Sequence, residues 1–215
     1  MGTVSVAGYR MNAKQGVRPV WSPKSSALLF LEASSAAGPV ELLLRPPSEK
    51  MPPQLSGLFE LEPAEAEDCF AWIIRGEADC PPDATLLRVP PLWRAIGDSL
   101  ARKKLESPPV ILVAGPRKLG KSSLCRYLAN RLLSHEEDDD DRDGGWSRLA
   151  WLDLDPGQTE FTPPAALAMA LLQPDQLPLG PPLTHQTRLL PLAHLHWLGT
   201  ASPAECPRSY LAGLQ

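Results

Sequence analysis

The stretch VILVAGPRKLGKSS, residues 110–123, restricts the possible folds of this chain more than any other segment. A short, wholly apolar and largely β-branched run ends at a glycine, and a second glycine is followed at once by lysine and serine. Gly115, Gly120, Lys121 and Ser122 fit the spacing G-x-x-x-x-G-K-[ST]. Such a loop wraps an anionic phosphate with successive backbone N–H groups and delivers it to a helix N-terminus. Glycine permits the close approach and the positive φ angles that the wrapping needs. Lys121 supplies a point charge to the β- and γ-phosphates, and the Ser122 hydroxyl can ligate magnesium. The expected phosphate-binding set is Gly115, Pro116, Arg117, Lys118, Leu119, Gly120, Lys121, Ser122 and Ser123. Within it, Pro116 to Leu119 could be variable filler, or Arg117 and Lys118 could extend positive charge toward substrate phosphates. With background glycine near 7%, a chance match in such a chain is on the order of one in a hundred. The chain therefore binds a nucleoside triphosphate or descends from one that did.

The flanking sequence agrees with this reading. VILVAG (110–115) has the composition of a strand buried in a parallel sheet. A helix is predicted over 121–134, with Leu124, Leu128 and Leu132 on one face, and RLAWLDLD (148–155) reads as the next strand. Strand, helix, strand is a βαβ unit, so 108–215 is expected to be an α/β P-loop NTPase or kinase domain built on a parallel sheet, here incomplete. Before it, 91–107 predicts a connecting helix with Leu92, Trp93, Ile96, Leu100 and Leu105 as one buried stripe. Residues 1–90 predict a small β-rich domain from ALLFLEA (27–33), VELLLR (40–45), GLFELE (57–62) and FAWIIR (70–75). Trp21, Phe30, Phe59 and Trp72 are expected in its core. Downstream, ALAMALL (166–172) suits a strand or a short helix, LHWLGT (195–200) suits a strand, and a last helix starts at Ser202 or Pro207.

Composition adds limits. The 25 prolines argue for turns and short elements rather than long helices. The net charge of −4 looks wrong for a nucleic-acid binder, but EEDDDDRD (136–143) alone carries −6, leaving the remainder at +2 (−4 minus −6). That block predicts a solvated, disordered loop over 135–145. Cys69, Cys80, Cys125 and Cys206 show neither CxxC nor zinc spacing, which suits a reducing compartment. No signal peptide, myristoylation pattern or apolar run of membrane length is visible, and the chain reads as soluble and intracellular, with no membrane partner.

The second chemical feature is WLDLDPGQTEFTPP (151–164). Asp153 and Asp155 are two apart on a strand, so their side chains are expected on one side with Leu152 and Leu154 opposite. Open α/β sheets place ligands at the carboxyl ends of their strands, so both carboxylates should approach the triphosphate. Asp153 could hold neighbouring backbone or magnesium-bound water. Asp155 could nucleate the Pro156-Gly157 turn or accept the proton of an attacking hydroxyl. Gln158 cannot act as a base, but its amide can orient a nucleophile.

GPRKLGKSS, LDLDPGQTEFTPP and LGPPLTHQ (179–186) together resemble the polynucleotide 5′-hydroxyl kinase family, and TEFTPP with GPPLTHQ resembles its nucleolar branch acting on pre-ribosomal RNA. The N-terminal YRMNAKQGVRPVWSPKSSALLFLEA is similar to that branch's β-domain. The resemblance implies an N-terminal β-domain, a P-loop kinase domain and a C-terminal domain. It implies transfer of the ATP γ-phosphate, with Mg2+, to the 5′-hydroxyl of RNA in rRNA processing, with residence in the nucleus and nucleolus and ribosome-biogenesis protein partners. On the family's DxDxGQ pattern it makes Lys121, Asp155 and Gln158 catalytic, Asp155 being the favoured activator of the hydroxyl, and Ser122 and Asp153 the metal residues. GPPLTH would be the RNA clasp, with Thr184 and His185 near the substrate backbone. The family's domain continues into a lid with arginines, whereas after Asp155 this sequence has only Arg188 and Arg208. The 215 residues are thus expected to be a fragment, short isoform or incomplete gene model, weakly active or inactive alone.

Two other functions compete. A regulatory P-loop ATPase would usually carry a second lysine where Pro116 stands, which counts against it. A kinase relative serving as a binding or assembly module is opposed by the intact Lys121, Ser122 and Asp155. His194 and His196 are expected to face solvent rather than bind metal.

Overall fold

The structure is a computed structural model that describes residues 3–16, 18, 20, 31–34, 40, 42, 89–102, 107–116, 118–134, 146–176, 179 and 192–215. Strands β1 (Thr3–Val6), β2 (Tyr9–Asn12) and β3 (Leu31–Ser34) form an antiparallel sheet in the order β2-β1-β3. Ala7 and Gly8 connect β1 to β2 with φ of 46° and 92°. Positive φ at both positions of a two-residue loop matches the right-handed twist of the strands it joins. The turn needs glycine for a second reason: a Cβ at Gly8 would lie 2.8 Å from the Tyr127 ring. Val4, Val6 and Tyr9 are buried. Of the four strands expected in 1–90, part of ALLFLEA lies in β3, while GLFELE, FAWIIR and most of VELLLR lie outside the described residues, as do Trp21, Phe30, Phe59 and Trp72.

Helix α1 (Pro91–Arg102) begins with proline at its first position, where the missing N–H costs nothing. It packs along α2 (Lys121–Leu133). Its expected stripe is rotated: Leu92 and Ile96 are exposed, whereas Gly97 is buried and Trp93, Asp98 and Leu100 are half-buried. Gly97 sets this face, because a Cβ there would lie 3.1 Å from both Tyr127 and Arg131. Charge fixes the same arrangement. The Asp98 carboxylate accepts from Arg10 at 3.0 Å and Arg131 at 2.7 Å, and Arg94 pairs with Glu32 of β3.

Strands β4 (Leu149–Asp153), β5 (Ala166–Leu172) and β6 (Leu192–Trp197) make the second sheet, in the order β4-β5-β6. Both pairings are antiparallel, so the expected parallel sheet is not seen among the described residues. The cause is the connection between β4 and β5. The Ala165 N–H donates to the Pro156 carbonyl at 2.8 Å and closes the loop at its base, so the chain re-enters beside β4 in the opposite direction. VILVAG is likewise not in a described strand, and Val110 and Leu112 are 94% and 87% exposed. ALAMALL is resolved as the central strand β5. The strand expected at 195–200 instead ends at Trp197: the Leu198 N–H donates to Ala165 at 2.8 Å, and Gly199 turns away with φ of 76°. Helix α3 (Pro207–Ala212) takes the Pro207 start. One core joins the first sheet, α2 and the second sheet through Tyr9, Ala129, Leu133, Phe161, Ala170 and Leu172. No helix among the described residues is long and apolar enough to cross a membrane.

Candidate active site

The phosphate loop is a series of left-handed corners. Gly115, Lys118 and Gly120 have φ of 154°, 62° and 78°, and Gly120 is the residue preceding α2. No side chain caps that helix start, although the Leu124 N–H reaches the Gly120 carbonyl at 2.8 Å. The opening N–H groups of a helix have no partner within it and concentrate partial positive charge. The Lys121 ammonium donates to the Pro116 carbonyl at 2.8 Å, which folds the cation back across the loop. Ser122 is exposed, Ser123 half-buried, and Lys118 and Leu119 exposed; Arg117 lies outside the described residues. The Trp93 ring of α1 lies 3.5 Å from where a Cβ on Gly120 would stand. An uncapped helix start, a lysine over the loop and an exposed hydroxyl fit the phosphates of a nucleotide.

The two aspartates have separated. Asp153, the last residue of β4, is 6% exposed, and its Oδ2 accepts from the Glu160 N–H at 2.6 Å. Burial pushes its carboxyl up to about 6, against the pull of the backbone N–H groups of Glu160, Phe161 and Asp155. Asp155 is past the strand end and exposed, and its Oδ1 accepts from Gly157 at 3.0 Å and Gln158 at 3.2 Å. This is the turn-nucleating geometry open to an aspartate before Pro-Gly. It leaves the carboxylate in reach of solvent. Gln158 is exposed as well, as are Leu152 of β4 and Leu154 just past its end. Thr184 and His185 lie outside the described residues. His194 is exposed and His196 half-buried, and no group of three metal-ligating side chains occurs among the described residues. For Mg2+, the exposed Ser122 hydroxyl and Asp155 carboxylate are hard oxygen donors of the right chemistry. Asp153, buried and committed to backbone N–H groups, suits support of the site or of metal-bound water.

Two connections were not visible in the sequence. Arg126, one turn beyond Ser122, makes a two-pronged ion pair with Glu160, at 2.6 Å from Nε and 3.0 Å from Nη2. Asn130, fully buried, accepts from the Leu179 N–H at 2.7 Å and donates to the Leu179 carbonyl at 3.2 Å and the Ala7 carbonyl at 3.0 Å. It thus ties the first hairpin, α2 and the residue before Gly180 together. Only the glutamate inside TEFTPP marked one of these residues in advance, and the spacing of its partner did not.

A family model described as "mRNA cleavage and polyadenylation factor CLP1 P-loop" matches residues 115–215, starting at the first glycine of the loop. A polynucleotide 5′-hydroxyl-kinase GRC3 of Cryptococcus neoformans (strain B-3501A) is 30% identical over 99% of this chain and 28% of that protein. The chain belongs to the polynucleotide 5′-hydroxyl kinase family. A GRC3 kinase from a second strain of the same fungus, JEC21, is 38% identical over 59% of the chain and 15% of its own length. The polynucleotide 5′-hydroxyl-kinase NOL9 of Bos taurus is 42% identical over 41% of the chain and 11% of its own length. The chain therefore spans about a quarter or less of these family members.

Proposed function

We propose that this chain carries the nucleotide-binding and acceptor-activating part of an ATP-dependent polynucleotide 5′-hydroxyl kinase that acts on RNA in rRNA processing, in the nucleus and nucleolus. The observation that carries this reading is the uncapped start of α2, with Lys121 folded over the loop that precedes it. On binding, the backbone N–H groups of the loop and first turn replace water around the phosphates, and Lys121 leaves Pro116 for the β- and γ-phosphate oxygens. Ser122 would hold Mg2+, with Asp153 supporting it. The ion would supply charge neutralisation on the transferring group.

Asp155 accepts the proton of the RNA 5′-hydroxyl as its oxygen bonds to the γ-phosphorus and the bond to the β-phosphate oxygen breaks, releasing ADP. Its exposure suits a base that must meet a macromolecular substrate, and Gln158 orients the hydroxyl. Thr184 and His185 would grip the RNA backbone, and ribosome-biogenesis proteins are the expected protein partners. The test is label transfer from γ-labelled ATP to a 5′-hydroxyl oligoribonucleotide, comparing wild type with Lys121→Ala and Asp155→Asn in a full-length context. Loss of transfer in both is expected, and unchanged transfer in both would sink the site assignment. ATP hydrolysis indifferent to an RNA 5′-hydroxyl would instead favour a regulatory ATPase.

A further inference from the structure

The phosphate side and the acceptor side of the site sit on different elements, and one ion pair spans them. Arg126 is on the first half of α2, one turn from Ser122, and Glu160 is in the loop that carries Asp155 and Gln158. The Glu160 carboxylate is 5% exposed and receives both Nε and Nη2 of Arg126. The main-chain N–H of the same residue is bonded to Asp153. Glu160 therefore joins three things: the helix behind the phosphates, the last residue of β4, and the loop of the proposed base.

A planar two-pronged pair fixes angle as well as distance, which a single lysine contact would not. A buried carboxylate is held in that geometry because leaving it unpaired is costly. The neighbourhood supports the same loop: Phe161 meets Trp151 of β4 edge-on at 5.4 Å, and Thr159 bonds the Thr162 carbonyl.

We infer that Arg126 and Glu160 are positioning residues that set the acceptor loop against the phosphate-binding helix. The pair contacts neither nucleotide nor RNA. It fixes where Asp155 and Gln158 stand relative to the phosphates, so its loss is felt in the transfer step rather than in nucleotide binding. This inference rests on the kinase reading for its catalytic consequence, but its geometric content can be tested apart from it.

The 215-residue chain is compared with Arg126→Ala, the near-isosteric Glu160→Gln and the double variant. Amide hydrogen exchange is read at 157–162 and, as a folding control, at 128–132. In the same samples, KM for ATP and kcat for transfer to a 5′-hydroxyl oligoribonucleotide are measured. The expected result is at least tenfold faster exchange at 157–162 in Arg126→Ala with the control segment unchanged, and a smaller rise in Glu160→Gln. kcat should fall by about a hundredfold, as for a catalytic group displaced by an ångström, with KM for ATP within about threefold of wild type. The double variant should be no worse than Arg126→Ala, since the two side chains act as a unit. Unchanged exchange at 157–162, or KM for ATP worsening in step with kcat, would overturn the inference. If the wild-type 215-residue chain transfers nothing, the exchange arm decides the tie by itself, and the kinase reading is decided by label transfer in the full-length context.

Discussion

The two ends of helix α2 are built for opposite purposes. At its start Gly120 offers no side-chain cap, Ser122 is exposed, and Lys121 is held by a loop carbonyl. From Tyr127 to Leu133 every residue is buried, and the polar ones are paired. Arg131, 2% exposed, gives its Nε to Asp98, and Asn130 satisfies both polar groups of Leu179. An isolated helix of this length is marginal in water, and an uncapped start weakens it further. The buried end supplies the stability, which allows the exposed end to keep its N–H groups for a ligand.

If that division is real, changes at the two ends should separate function from stability. Lys121→Ala should cut phosphoryl transfer by about a hundredfold to a thousandfold, the usual loss for one donor aimed at the reacting group. Its thermal midpoint should match wild type, because among the described residues the side chain bonds to an exposed loop carbonyl. A midpoint that falls with the activity would break the comparison at its strongest point. Arg131→Met should do the reverse. It removes the shorter of the two ion pairs of Asp98, keeping that to Arg10, and should cost about 3 kcal/mol of unfolding free energy in a urea titration, with nucleotide affinity retained in the folded protein. Burial would raise the Asp98 carboxyl, but Arg131, Arg10 and Arg102 outweigh it and hold it below its ordinary value. The pair's contribution is therefore present at neutral pH and is lost as pH falls through that lowered value. The Arg131→Met penalty should shrink in acid.

A slightly smaller effect sharpens the same contrast. Asn130→Ala strands the Leu179 N–H and carbonyl in the interior and should cost about 2 kcal/mol by urea titration. Asn130→Asp should not rescue it, since a carboxylate accepts from the N–H but cannot donate to the two carbonyls. Rescue by aspartate would mean that Ala7 and Leu179 gain nothing from the amide.

The two ends also differ in how far the sequence revealed them. The start of α2 was legible because phosphate wrapping imposes fixed local spacing, so Gly120, Lys121 and Ser122 announce themselves within one loop. The helix expected over 121–134 is observed as Lys121–Leu133. The buried end was opaque because its partners are far away in sequence: Arg131 meets Asp98 across 33 residues and Asn130 meets Ala7 across 123, and the same holds for Arg126 earlier in the helix, which meets Glu160 across 34. Nothing in the local pattern selects among the available charges. The apolar runs misled for a related reason. Hydrophobicity reports that a strand wants covering, but not by which neighbour or in which direction, so the antiparallel return of β5 and the exposure of Val110 and Leu112 could not be read from VILVAG or ALAMALL. In the DxD stretch, the sequence left both the turn and the base open for Asp155, and the observed turn bonds are compatible with either.

Asp153 offers the finest test, because it combines the two kinds of environment in one side chain. Its carboxyl is buried like the far end of α2, yet it sits beside the exposed loop of the proposed base. Burial raises it from 3.8 to about 6. A carboxyl whose folded value is raised favours the fold while protonated, and that contribution is lost as pH rises through the folded value. The unfolding free energy of wild type should therefore fall relative to Asp153→Asn between about pH 4 and pH 7, by about 3 kcal/mol, and stay level above that. At neutral pH the group is ionised, so it can still serve the metal's water shell while straining the fold. The opposite slope, with wild type gaining on the amide as pH rises, would mean that the N–H groups of Glu160, Phe161 and Asp155 outweigh burial. Asp153 would then be a well-satisfied structural anion, and the strain assigned to the acceptor side would have to lie elsewhere in the loop.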